Sequence, residues 1–173
     1  MGRLQIALGL LAVVVAGTSL GARFARAEDP KQGVPPVQKP VKQAFVESLV
    51  GTWDVETTGA FAAGKGKATF AKGVGDTALL ETYEKTSSMG TYFGHGIYKV
   101  SDDEKTISVW WLDNFSAEPM KLSGPLKDTG YEVSGDAPGM GTMKLTFEKK
   151  GDALVYTMFA GGMEMKSTYT KAK

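Results

Sequence analysis

Leu49-Val50-Gly51-Thr52-Trp53-Asp54-Val55-Glu56-Thr57-Thr58 is the stretch on which the reading of the fold turns. Trp53, Val55 and Thr57 alternate with Asp54, Glu56 and Thr58. That is the period of a half-buried strand, in which successive side chains point to opposite faces. Just upstream, Phe45, Val46, Leu49 and Val50 fall at helical spacing. One or two turns of helix between Pro40 and Leu49 are therefore expected, placed to cap one end of the strands downstream.

Beyond Val50 the chain reads almost wholly as strand and turn. Apolar or alternating runs over 65–72, 78–86, 91–101, 106–112, 116–123, 130–136, 142–149, 153–159 and 163–170 are separated by short Gly-, Asp- or Lys-containing turns. With the first strand this makes about ten, evenly spaced, the pattern of a barrel or sandwich rather than of a βαβ fold. Twenty-two glycines suit a small barrel, whose strands bend sharply and lose side chains at corners. The expected fold is all-β: a single antiparallel up-and-down β-barrel of about ten strands with a short N-terminal helix.

The two ends of the chain differ in composition. Residues 1–27 read as a secretory signal, with Arg3 ahead of the apolar run Leu4–Gly17 and Ala25-Arg26-Ala27 as the cleavage site. Residues 28–41 are rich in proline and charge and read as a linker, and 42–173 as the barrel domain. The expected compartment is periplasmic or extracellular, with no stable membrane insertion after cleavage. All three arginines lie in the signal, which leaves 17 lysines against 19 acidic residues and a formal charge of −2. A nucleic-acid partner is therefore not expected, because it would call for a basic stripe and arginine forks. The absence of cysteine excludes disulfides, thiolate metal sites and thiol nucleophiles.

Gly51-Thr52-Trp53 at the head of a first strand resembles the opening motif of the calycin barrels, the lipocalins and their relatives. The order of later pieces resembles the bacterial family known as domain of unknown function 1579. Those pieces are Leu49 to Trp53, Gly96-Ile97-Tyr98, Val109 to Asp113, Gly124 with Asp128, and Met165 to Lys171, spanning roughly 42–171. The resemblance implies a lipocalin-like barrel and assigns no activity. The nitrobindin-type barrels look similar and bind haem through a histidine near the C-terminus. No histidine follows Gly135 here, so haem is not expected, nor any other cofactor.

Trp53 is expected to plug the closed end against a base from the last strand, with Lys166 or Lys171 standing where related barrels use arginine; Gly51, Trp53 and Lys166 are the structural set. Trp110 and Trp111 are adjacent in a strand and must face opposite ways, with Trp111 the inward candidate. Met143, Leu145 and Phe147 share one strand face, and Met163, Met165, Ser167 and Tyr169 another. Methionine suits an adaptable apolar wall. His95, the one histidine, lies between Gly94 and Gly96, where a kink could turn it toward the lumen. The expected ligand-lining residues are Tyr83, His95, Tyr98, Trp111, Met143 and Met165.

No nucleophile elbow, metal motif or nucleotide loop is present, so neither catalytic nor metal-binding residues are assigned. The leading expectation is a non-catalytic barrel binding a small apolar ligand. The alternative is a filled barrel serving as a structural or protein-interaction module of the cell envelope. A third is an enzyme built on His95; the acid–base pairs available by residue type are His95 with Asp113 and Glu81 with Glu84. Interior volume separates the first two, because a lumen packed at ordinary density holds nothing.

Overall fold

In the computed structural model the described residues are 38–59, 63–73 and 75–173, and they form one closed antiparallel barrel. The expected signal, residues 1–27, and most of the expected linker lie outside the described residues. A single helix, α1 (Ala44–Leu49), precedes ten strands: β1 (Gly51–Gly59), β2 (Gly64–Gly73), β3 (Ala78–Ser87), β4 (Gly90–Val100), β5 (Thr106–Asp113), β6 (Met120–Lys127), β7 (Gly130–Ala137), β8 (Gly141–Lys150), β9 (Ala153–Ala160) and β10 (Met163–Lys171). Every strand pairs with its neighbour in sequence, and β1 closes on β10 from Trp53 opposite Lys171 to Gly59 opposite Met165.

The inward positions follow the period of two. Trp53, Val55 and Thr57 are buried on β1, Ile107 and Val109 on β5, and Met143, Leu145 and Phe147 on β8. Two expectations shift. The sixth strand runs from Met120 to Lys127 rather than over 116–123, because Ser116 is tied back to Asp113 and Ser116 Oγ donates to Glu118 O. The strand also continues through Gly124-Pro125, which face Ile107 and Thr106 of β5. The helix itself is the short one expected, but Val50 is its C-cap and is exposed rather than joining the buried stripe.

α1 seals one end. Gln43 caps it and ties it to β6: its Oε1 accepts from Val46 N at 2.9 Å, and its Nε2 donates to Lys127 O at 3.1 Å. An N-cap acceptor of this kind satisfies one of the four amides that a helix start leaves without a partner. Phe45, Val46 and Leu49 are buried beneath the strands, with the Phe45 ring 6.2 Å from Tyr131 and 6.3 Å from Phe147. Val41, at the end of the expected linker, packs against the same core, and its amide donates to Asp76 O at 2.9 Å.

Trp53 completes the closed end. Its Nε1 donates to Leu49 O at 2.7 Å, and the ammonium of Lys171 lies 4.3 Å from its ring centroid while donating to Val50 O at 2.6 Å. Gly51 serves both neighbours. Its φ is +122°, and a Cβ there would stand 2.8 Å from Lys171 Nζ. The base over the tryptophan is thus Lys171; Lys166 is exposed, opposite Thr58 and Thr157, and plays no part in the plug. The reason is parity, since the inward residues of β10 are the odd-numbered ones.

Lys171→Met is expected to lower unfolding stability by about 1 kcal/mol through the lost cation–π and carbonyl contacts. Lys166→Met is expected to stay within about 0.5 kcal/mol of the parent, as exposed substitutions usually do. Urea denaturation of both variants checks this, and equal effects would contradict the assignment of Lys171 to the plug.

Candidate functional site

The barrel is not filled. A cavity of about 350 Å³ occupies the lumen between an aromatic floor and the mouth opposite α1. Phe70, Tyr98, Tyr131, Phe147 and Tyr169 build the floor, with centroid separations from 5.1 Å (Phe147–Tyr169) to 6.3 Å (Phe70–Phe147). Such offset and edge-on contacts are the favoured aromatic arrangements. Above it, Met120, Leu122, Met143, Leu145, Met158 and Met165 make an apolar wall. The mouth is rimmed by Ser87 at the end of β3 and Met89 beyond it, by Phe115 and Ser116 beyond β5, and by Pro138 and Met140 beyond β7.

Two charged side chains point inward from β3. Glu81, Tyr83 and Lys85 sit on one face of that strand, and Glu81 is 4% and Lys85 6% exposed. Burial pushes the Glu81 carboxyl up to about 7, against a hydrogen bond donated by the Tyr98 hydroxyl to Oε2. Burial also raises Tyr98, Tyr131, Tyr156 and Tyr169, and the negative charge of Glu81 raises each of them further. Tyr83 is raised by burial too, opposed by a hydrogen bond with Thr57, whose hydroxyl in turn lies 2.9 Å from Ser167 Oγ. Lys85 is lowered by burial, and its ammonium lies 5.9 Å from the Tyr92 ring centroid.

Asp113 fixes the lip. Its Oδ2 accepts from the Tyr92 hydroxyl at 2.9 Å and from Trp111 Nε1 at 3.2 Å, and its Oδ1 accepts from the amides of Phe115 and Ser116 at 2.9 and 2.8 Å. Trp111 Nε1 also reaches the Tyr92 hydroxyl at 2.6 Å, and the two rings stack with 6.4 Å between centroids. Inward glycines on β4 make room for that indole. A Cβ on Gly94 would come within 2.2 Å of the Trp111 ring, and one on Gly96 within 2.7 Å of the Tyr98 ring.

Of the residues expected to line the lumen, Tyr83, Tyr98, Trp111, Met143 and Met165 do so. His95 does not. It is exposed on the outer face, between Thr82 and Leu112, because the flanking glycines occupy the inward positions and alternation turns the imidazole out. It therefore cannot meet Asp113, which is inward on the neighbouring strand. Glu84 is likewise outward while Glu81 is inward, so that pair does not meet either. Trp110 is on the outside, with Lys121 Nζ 5.5 Å from its ring centroid.

Lys85 and Tyr92 are site residues that sequence reasoning passed over, and Glu81 and Asp113 were weighed for acid–base pairs but not as lumenal residues. The available signal was parity within each strand: Glu81 and Lys85 with Leu79 and Tyr83, Tyr92 with Tyr98, Asp113 with Trp111. Among the described residues no cluster of three or more His, Asp or Glu side chains is placed to hold a metal ion, and no helix is long and apolar enough to cross a membrane. Comparison with protein-family models and with curated proteins finds no match to this chain.

The raised carboxyl makes stability depend on pH. The folded protein keeps on Glu81 a proton that the unfolded chain releases near 4.5. The stability this contributes is fully present below about pH 4.5 and is lost as pH rises through about 7. The wild type is expected to lose up to about 3 kcal/mol between pH 4.5 and pH 8 through this group, while Glu81→Gln stays flat in that component. Thermal melts of both proteins across the interval check it, and parallel profiles would contradict a desolvated Glu81.

Proposed function

We propose that this chain is an exported, non-catalytic barrel that carries one small, largely apolar molecule in its lumen. The observation behind this reading is the open cavity of about 350 Å³, within the range of roughly 300–1,000 Å³ common to small-molecule sites. Its lining has the composition of such sites, mostly methionine, leucine and aromatic rings with a few convergent polar groups. The six methionines on wall and rim (Met89, Met120, Met140, Met143, Met158, Met165) suit a wall that accommodates more than one shape. The lipocalin-like resemblance and the signal-like residues 1–27 support the family type and the export in this proposal.

A second reading draws on the outer surface. Leu80, Ile97 and Trp110 are cross-strand neighbours on β3, β4 and β5, and Phe93 and Leu112 extend the same face, all at least partly exposed. An apolar patch of this kind favours a protein partner in addition to, or instead of, a lumenal ligand.

Uptake of the neutral fluorescent probe N-phenyl-1-naphthylamine tests the leading reading. The wild type is expected to enhance its emission with saturable, micromolar binding. Met143→Trp, which places an indole in the lumen, is expected to weaken binding at least tenfold with the melting temperature held or raised. Equal binding by both proteins would locate the probe outside the lumen and contradict the proposal.

A further inference from the structure

The deep end of the cavity combines one carboxyl with a shell of aromatic rings. Glu81 enters from β3 opposite Phe70 and Gly96, and the tyrosines whose titration it perturbs arrive from four other strands: Tyr98 (β4), Tyr131 (β7), Tyr156 (β9) and Tyr169 (β10). All line the same cavity. Among the described residues Glu81 makes no ion pair, and the hydrogen bond it receives comes from Tyr98 to Oε2. A carboxylate can accept about four hydrogen bonds, so Oε1 retains acceptor capacity at the cavity surface. A buried anion without a cation is costly, and ring faces attract positive charge.

We infer that this deep end is an amine subsite: the ligand is an apolar molecule bearing a primary or secondary ammonium that donates to Glu81 within the tyrosine shell. The inference rests on the reading that the lumen takes a small molecule, and it specifies that molecule's class. The apolar body would lie along Met143, Met158 and Met165. Lys85 gives the ligand a direction. It stands four residues further along the same strand face, about 13 Å along the strand in the direction of the mouth. A cation halted there meets a like charge and an Asp113 carboxylate already accepting four hydrogen bonds, whereas one carried to the floor meets Glu81. A charge-assisted hydrogen bond in such a site is about twice as strong as a neutral one, which is the basis for discrimination against an uncharged analogue.

Three probes of one chain length separate the inference from the reading beneath it: octylamine, 1-octanol and octanoic acid, titrated calorimetrically at about pH 8 into the full-length protein. Octylamine is expected to bind at least tenfold more tightly than 1-octanol, and octanoic acid most weakly. In Glu81→Gln the amine preference is expected to fall to within about threefold of the alcohol. Tightest binding by octanoic acid, lost in Lys85→Met, would overturn the amine assignment and leave the cavity reading standing. An unchanged amine preference in a folded Glu81→Gln would do the same. Failure of all three probes to bind would overturn both. Should Glu81→Gln not fold, the order of the three affinities in the wild type still decides the matter.

Discussion

Pairing of β1 with β10 is the constraint on which the rest of this structure depends. Seven residue pairs, from Trp53–Lys171 to Gly59–Met165, convert a ten-strand meander into a ring. Once the ring closes, no sheet edge is left among these strands, and every inward side chain competes for one lumen. Eight strands enclose a space that side chains just fill or that holds one small ligand, and ten enclose more. Several inward positions here carry almost nothing: Gly64 and Gly66 on β2, and Gly94 and Gly96 on β4. Neighbouring backbone stands against the two on β2, and the Trp111 and Tyr98 rings against the two on β4, so these glycines serve close packing of the wall, while the void follows from the strand number.

The two ends of the ring then divide the work. At the closed end, α1 inserts Phe45, Val46 and Leu49, and Trp53 is held by Leu49 O at its ring nitrogen and by the Lys171 ammonium near its ring centroid. Large buried rings contribute stability there without regard to any ligand. At the open end, the hydrogen bonds of Asp113 serve shape: they orient Trp111 and Tyr92 and tie down the turn at Phe115 and Ser116. Between the two ends lies the destabilising element. Apolar residues in place of Glu81 and Lys85 would favour folding, since desolvation opposes the charged form of each. Groups with environments of this kind are concentrated at functional sites.

Most of the architecture was legible because alternation is local. β1, β5 and β8 each present one plainly apolar face, and those are the faces that turn inward. β3 was not legible in the same way. Leu79, Glu81, Tyr83 and Lys85 on one side, and Leu80, Thr82, Glu84 and Thr86 on the other, are equally mixed, so hydrophobicity alone does not choose between them. What decides is non-local. Glu81 and Tyr83 stand opposite Gly96 and Gly94, whose missing side chains leave the inner face of β4 to the Trp111 and Tyr98 rings, and it is this pairing that sets which face of β3 is lumenal. His95 misled for the same reason: its glycine neighbours suggested a kink toward the lumen, when they are themselves the lumenal residues. Lys166 and Lys171 were separable by parity with Ser167 and Tyr169, a signal present in the sequence but weighed equally for both. β6 lost its register because Gly124-Pro125 reads as a strand end, yet the β5 side of the ladder runs through it.

The central claim is that the lumen is a working ligand site rather than a by-product of closure. Native mass spectrometry of the protein purified from its own host, beside a denatured control, addresses it most directly. The account predicts a reproducible extra mass of small-molecule size that disappears on denaturation, in a species that titrates to a single bound equivalent. A clean unliganded mass, unchanged after incubation with apolar probes that fit 350 Å³, would contradict it and move the function to the outer face of β3–β5.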